Sequence, residues 1–299
     1  RAVIQSGPCV SPLSSLAAVS KLGAQAQTQL GCDDVASPVA CMRGKDTETI
    51  ANTLPPDPTL GFGEGYTFWW PIKEPGVLPL QFMDAFTSGN FNRVPVIHGT
   101  TRDEATLLIW LSHNFRFKPL RAEQYMERLE YLTGSPELAM RVARQYPLEN
   151  YASPYDALSE SFSDGFFNCF GRRQAQAISQ HVPLWNYQFD FDEAPFFIPW
   201  ADLRAFHSAE IQYVMGKPMS FTRSNFKAEE QALADSMMGY WAEFARTGNP
   251  NGSGPNTWPA YDTRDQTLLF NLQNSVASGV HKTDCEFWAA LPYLRAPYP

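Results

Sequence analysis

Apolar residues in this chain recur in two rhythms, and the switching between them predicts strands separated by helices. Short buried strands are predicted at Ala2–Gln5 and at residues 94–97 (Val94, Val96 and Ile97). Residues 184–191 alternate apolar and polar positions and read as another strand, and 267–270 as a short edge strand. Helical spacing runs through 14–30, where Leu16, Val19, Leu22 and Leu30 repeat until Gly31. It returns at 122–132, at 135–145 behind a Ser135-Pro136 cap, at 155–180 and at 284–291. The strongest helical period is at 228–244, ended by Gly248-Asn249-Pro250. Strands alternating with helices predict an α/β architecture.

One stretch keeps neither rhythm. Residues 54–80 hold Pro55, Pro56, Pro58, Pro71, Pro75 and Pro79, and the rings of Phe62, Tyr66, Phe68, Trp69 and Trp70. Long ring-rich loops tend to carry function, and this one reads equally as a binding wall or as rings packed beneath their own loop. Gly61-Phe-Gly-Glu-Gly lacks the spacing, the leading strand and the following helix of a nucleotide loop.

Composition narrows the classes. The 299 residues are 44% hydrophobic and 14% aromatic, enough for a sizeable core. A net charge of −8 argues against nucleic acid and anionic membranes, because phosphate is repelled. No apolar run approaches the roughly 20 residues that span a bilayer, so no membrane span is expected. No Cys-x-x-Cys or His-x-x-x-His spacing gathers tetrahedral ligands, so no metal or other cofactor is expected. Five cysteines leave at least one thiol over. Cys32 and Cys41 bracket a short loop, compatible with a disulfide or with two reduced thiols.

The candidate chemistry lies in two stretches. His207 stands in Phe206-His-Ser-Ala-Glu-Ile-Gln-Tyr-Val-Met-Gly-Lys-Pro, in the loop before a helix-like run. A histidine so placed can use one ring nitrogen toward an acid and the other toward a reacting hydroxyl. A lone loop histidine is more often only hydrogen-bonded. The second stretch, Val94-Pro-Val-Ile-His-Gly-Thr-Thr-Arg-Asp-Glu-Ala-Thr-Leu-Leu, reads as a strand, a turn over 99–103 and a helix start. Carboxylates just past a parallel strand lie on the rim where α/β enzymes place their chemistry. Glu104 is the candidate acid for His207; Asp103 and Glu104 also read as first-turn acids favouring a helix N-terminus. His98 reads as a packed strand-end histidine, and His113, His181 and His281 as surface residues.

These two stretches resemble the acid and histidine motifs of the type-B carboxylesterase/lipase family, which includes the cholinesterases. Tyr240-Trp-Ala-Glu-Phe-Ala-Arg-Thr-Gly-Asn-Pro-Asn-Gly, Trp258-Pro-Ala-Tyr-Asp and the opening Arg1-Ala-Val-Ile-Gln-Ser-Gly are similar to it as well, in the family's order. Enzymes of this type carry Ser, then Glu or Asp, then His, the serine on a Gly-x-Ser-x-Gly elbow. No Gly-x-Ser-x-Gly occurs in residues 1–299, nor the glycine run that supplies oxyanion donors. Pro71-Ile-Lys-Glu-Pro-Gly also departs from the family's Pro-Val-Ile-Asp-Gly-like run.

The resemblance implies the later half of the central mixed sheet of an α/β-hydrolase fold, with flanking helices. Residues 1–299 are then the C-terminal portion of one domain, incomplete without a preceding segment. It implies a serine carboxylic-ester hydrolase in which Glu104 and His207 are acid and base. The nucleophilic serine and oxyanion hole are expected on an N-terminal segment or partner chain, and the substrate is a small ester. Phe68, Trp69 and Leu108 are expected beside that substrate. The resemblance also implies a Cys32–Cys41 bridge, hence an oxidising compartment, secreted or periplasmic. The same fold also serves as a non-catalytic binding or adhesion module, a reading that the presence of both Glu104 and His207 disfavours.

Overall fold

The computed structural model describes residues 1–7, 13–53, 71–112, 119–221, 223–252 and 257–292. Residues 54–70 of the ring-rich stretch, Phe68 and Trp69 among them, lie outside these residues, as do Cys9 and His113.

Among the described residues, seven strands form two sheets. The larger runs β1 (Ala2–Gln5), β4 (Val96–Thr101), β5 (Leu184–Phe189), β6 (Gln266–Phe270) and β7 (Ser275–Ser278), in that spatial order. The first four are mutually parallel and β7 is antiparallel, so the sheet is mixed. The other two strands, β2 (Ser14–Ser15) and β3 (Ile72–Lys73), pair with each other. Parallel neighbours need crossovers, and the helices supply them. Residues 267–270, expected at an edge, are interior; the short, serine-flanked β7 takes the edge. Likewise 99–101, expected as a turn, continue β4, because Gly99 presents no side chain to the ring of Tyr187 opposite it. The stretch expected as a loop between Cys32 and Cys41 includes the helix Pro38–Arg43, opened by its proline.

The core follows from helical spacing. Leu233, Met237, Tyr240 and Phe244 recur every three or four residues on the helix Ala228–Thr247 and are buried. They pack with Tyr187, Phe189, Trp258, Leu268 and Phe270 of the sheet side. Gly248, left-handed at φ 83°, ends the helix. A second cluster lies under the helices Ala105–Ser112, Ala122–Thr133, Pro136–Gln145 and Pro154–Phe162, with Leu129, Val142, Leu158 and Trp288 at its centre. Residues 155–180, expected to be helical, contain a π-helical turn at Ser163–Asn168 between two α-helices. Disulfides join Cys32 to Cys41 and Cys169 to Cys285.

Candidate active site

Three chain segments converge where β1 and β4 end. β1 stops at Ser6, whose amide donates to Gly99 O at 2.8 Å and whose backbone turns left-handed at φ 50°. β4 runs out through Arg102 and Asp103 to Glu104, at the start of the helix Ala105–Ser112. The loop bearing His207 is tied to that rim by a parallel bridge between Asp103 and Phe206. The Asp103 amide donates to Ala205 O at 3.0 Å, and the Ala205 amide to Asp103 Oδ2 at 3.2 Å. Thr106 Oγ1 adds a bond to Leu203 O at 2.6 Å. Arg102 holds Asp103 from the other side and also reaches Asp190 at 2.7 Å. Asp103 is therefore part of the scaffold that docks one loop on the other.

Glu104 is 0% exposed and uses both oxygens. Oε1 accepts from the Thr101 amide at 2.7 Å and from the Ser6 hydroxyl at 2.5 Å. Oε2 faces His207 Nδ1 at 2.6 Å. A buried carboxylate survives only with such partners. Burial disfavours a charged His207 ring. The hydrogen bond and charge of Glu104, with the charge of Glu210 behind it, outweigh burial and hold the ring above the ordinary histidine range. With Nδ1 occupied, the proton-accepting atom left is Nε2, which makes no hydrogen bond among the described residues; the His207 side chain is 32% exposed. Phe167, on the π-helical turn, packs on the ring with centroids 5.3 Å apart.

Further partners were not foreseen from sequence. Glu210 is fully enclosed, and its Oε1 accepts from Gln5 Nε2 at 3.1 Å while Oε2 has no partner. Burial first, and the charge of Glu104 second, push its carboxyl up to about 7. Gln5 in turn accepts from Trp241 Nε1 at 3.1 Å, which links β1 to the long helix. Ser6, Arg204 and Ser208, all non-glycine, have positive φ around this one site. Such conformations cost of order 1–3 kcal/mol each and cluster where geometry serves function. The sequence signal for Ser6 was its place at a strand end; for Glu210 it was only proximity to His207.

Leu108 is half-buried on the helix that follows Glu104. His98 lies within β4 with Nδ1 2.9 Å from Asn186 Oδ1, and burial drives its ring down to about 4 against that bond. It is a neutral packing residue on the sheet. His281, expected on the surface, is instead largely enclosed and 3.0 Å from Asp164. The aromatic wall at Phe68 and Trp69 lies outside the described residues.

The Glu–His pair thus lies on the C-terminal rim of the parallel strands, Glu before His along the chain. The model of the carboxylesterase family matches residues 1–288. The chain belongs to the carboxylesterase family. Within it, Carboxylesterase 1E of Rattus norvegicus is 27% identical over 295 residues, taking in 89% of this chain and 50% of that relative. Cocaine esterase of Homo sapiens is 25% identical over 309 residues, 97% of this chain and 53% of its own. Para-nitrobenzyl esterase of Bacillus subtilis (strain 168) is 31% identical over 207 residues, 68% and 39% respectively. A solved PNB esterase structure superposes with TM-score 0.71 at 23% identity, over 96% of this chain and 57% of that one. That likeness shows the α/β-hydrolase fold. This carboxylesterase-family chain spans about half the length of the curated relatives it matches.

Proposed function

We propose that this chain supplies the base, His207, and the orienting acid, Glu104, of a serine carboxylic-ester hydrolase. The nucleophilic serine and the oxyanion donors come from a part of the protein outside residues 1–299. On this reading residues 1–299 are the C-terminal portion of a single α/β-hydrolase domain. The observation that carries the proposal is the 2.6 Å contact between His207 Nδ1 and a fully buried Glu104 that also accepts from Ser6 and Thr101.

The chemistry follows from that contact. Neutral His207 takes the serine proton on Nε2 while the serine oxygen attacks the ester carbonyl. Glu104 steadies the imidazolium that forms, and it keeps Nδ1 protonated so that Nε2 is the basic nitrogen. The ring then passes the proton to the departing alcohol, and a water repeats the cycle on the acyl-serine. The half-buried Leu108, on the helix that follows Glu104, offers an apolar face to a small ester. The two disulfides support an oxidising compartment, secreted or periplasmic.

The test is the complete protein with His207→Ala. Triad members act as a unit, so loss of the base should lower turnover by about a millionfold and abolish the acyl-enzyme burst. A normal burst in that variant defeats the assignment. Stoichiometric labelling of one serine by an organophosphate is the companion result; no labelled serine favours the binding-module reading.

A further inference from the structure

Apart from the Glu104–His207 pair, three potentially ligating side chains meet beside the π-helical turn. Asp164, His281 and Asp284 each offer one donor atom, and these atoms lie within 4.8 Å of one another. Asp164 is carried by the π-helical turn Ser163–Asn168, a distortion that often marks functional positions. His281 stands at φ 56° just before the helix Lys282–Ala289, and Asp284 lies in its first turn. The Cys169–Cys285 disulfide joins the helix after Asp164 to the one bearing Asp284, so the donors come from elements covalently fixed to each other.

Each donor is oriented from behind. Tyr146 donates its hydroxyl to Asp164 Oδ2 at 2.9 Å and itself accepts from Trp288 Nε1 at 2.8 Å. The Gln188 amide nitrogen lies 2.6 Å from His281 Nε2, and Gln145 Nε2 donates to Asp284 Oδ1 at 3.2 Å. With Nε2 accepting from Gln188, the His281 proton resides on Nδ1, facing Asp164 Oδ1 at 3.0 Å. Partners of this kind hold imidazole and carboxylate ligands in metal sites.

A second observation points to a ligand there. Asn168 is only 4% exposed, yet its Oδ1 has no hydrogen-bond partner. Its Nδ2 donates to Arg102 O at 3.1 Å and lies 3.5 Å from Asp164 Oδ1, and Asn168 and His281, though not the two aspartates, line a cavity of about 20 Å³ beside the cluster. That volume holds one water, the further ligand an ion with three protein donors needs. Negative charge also gathers: burial, then Asp164 and Asp284, push the nearby Glu160 carboxyl up. His281 retains 21% side-chain exposure, which leaves an entry path.

We propose that Asp164, His281 and Asp284 bind one divalent transition-metal ion of the zinc class. One imidazole nitrogen with two carboxylate oxygens suits zinc better than the all-oxygen sets that magnesium and calcium take. Binding replaces the Nδ1 proton of His281 by the metal and releases that proton to solvent. No ligand spacing in the sequence announces such a set, because Asp164 and His281 lie on elements far apart in the chain.

The experiment is calorimetric titration of the chelator-stripped protein with zinc chloride, alongside magnesium chloride and thermal melting. Expected are one zinc per chain, a raised melting temperature, and no comparable effect of magnesium. His281→Gln and Asp284→Asn should each weaken binding about tenfold or more, Gln145→Ala about tenfold, and His181→Gln, a half-buried histidine elsewhere, should change nothing. Asp284 is partly exposed, so Asp284→Asn is expected to keep the wild-type fold, checked by its zinc-free melting curve. No saturable zinc binding overturns the proposal. So does zinc binding that survives both His281→Gln and Asp284→Asn, or magnesium binding as tightly as zinc.

Discussion

Glu210 and Glu104 are two enclosed carboxyls near one imidazole, and the protein treats them differently. Glu104 has three close partners, whereas Glu210 has one oxygen bonded to Gln5 and one bonded to nothing. The consequence is a pH dependence of stability with a definite sign. An ordinary carboxyl at 4.5 is raised here to about 7, by burial and then by Glu104. Below 4.5 folded and unfolded chains both hold the proton. Between 4.5 and 7 the unfolded chain releases it while the folded one keeps it, so stability falls as pH rises, and the loss is complete above 7. A shift of that size corresponds to about 3 kcal/mol. Glu210→Gln cannot ionise and can still accept from Gln5. Urea denaturation at pH 5 and pH 8 should show the wild type losing about 2.5 kcal/mol more than the variant across that interval. Equal losses in the two proteins would refute the assignment of a proton to Glu210. The same substitution removes a negative charge that raises His207, so the acidic limb of any His207-dependent rate should move to lower pH.

At the scale of elements, the rim depends on how closely β4 and β5 approach. Gly99 pairs with Tyr187 across the two strands, and a Cβ at Gly99 would overlap the Tyr187 ring. That ring is packed edge-on against Trp241, Trp258 and Phe270, so it has nowhere to withdraw. Gly99→Ala should therefore cost more than the usual overpacking, about 3 kcal/mol or above, and disturb Glu104 five positions downstream. A variant with wild-type stability in urea would show that the strands separate freely. The same contact explains what the sequence concealed. Glycine and two threonines after His98 carry turn chemistry, and only a ring from another strand makes them strand residues. His207 and Glu104 were legible because each sits at a boundary between rhythms, one before a helix and one after a buried strand. Ser6 and Glu210 were not, since a short hydroxyl and a third acid acquire meaning only once β1 lies beside β4. His281 reads as polar surface from its neighbours, and its partner Asp164 comes from a helix more than a hundred residues earlier.

For the molecule as a whole, the two disulfides differ in what they restrain. Cys169–Cys285 closes a loop of 116 residues that contains β5, β6, β7, the His207 loop and the longest helix. Cys32–Cys41 closes a loop of 9 around one short helix. In the chain-entropy picture a cross-link stabilises by restricting the unfolded chain, with a logarithmic dependence on loop length. The long loop then contributes about 5 kcal/mol and the short one about 2.5 kcal/mol. Packing reinforces the order: Cys169 and Cys285 are both buried in the helical cluster with Trp288, whereas Cys41 is partly exposed. The Cys169→Ala/Cys285→Ala protein should therefore lose roughly twice the unfolding free energy lost by Cys32→Ala/Cys41→Ala. Denaturant titrations of the two double variants against wild type measure both losses directly. Reductant should also open the Cys32–Cys41 bridge first, by attack at the partly exposed Cys41, since Cys32 is fully buried, seen as one pair of thiols labelled before the other. If the short-loop variant proves the weaker protein, restriction of the unfolded chain is not what these bridges chiefly provide, and native contacts around Cys41 must account for the difference.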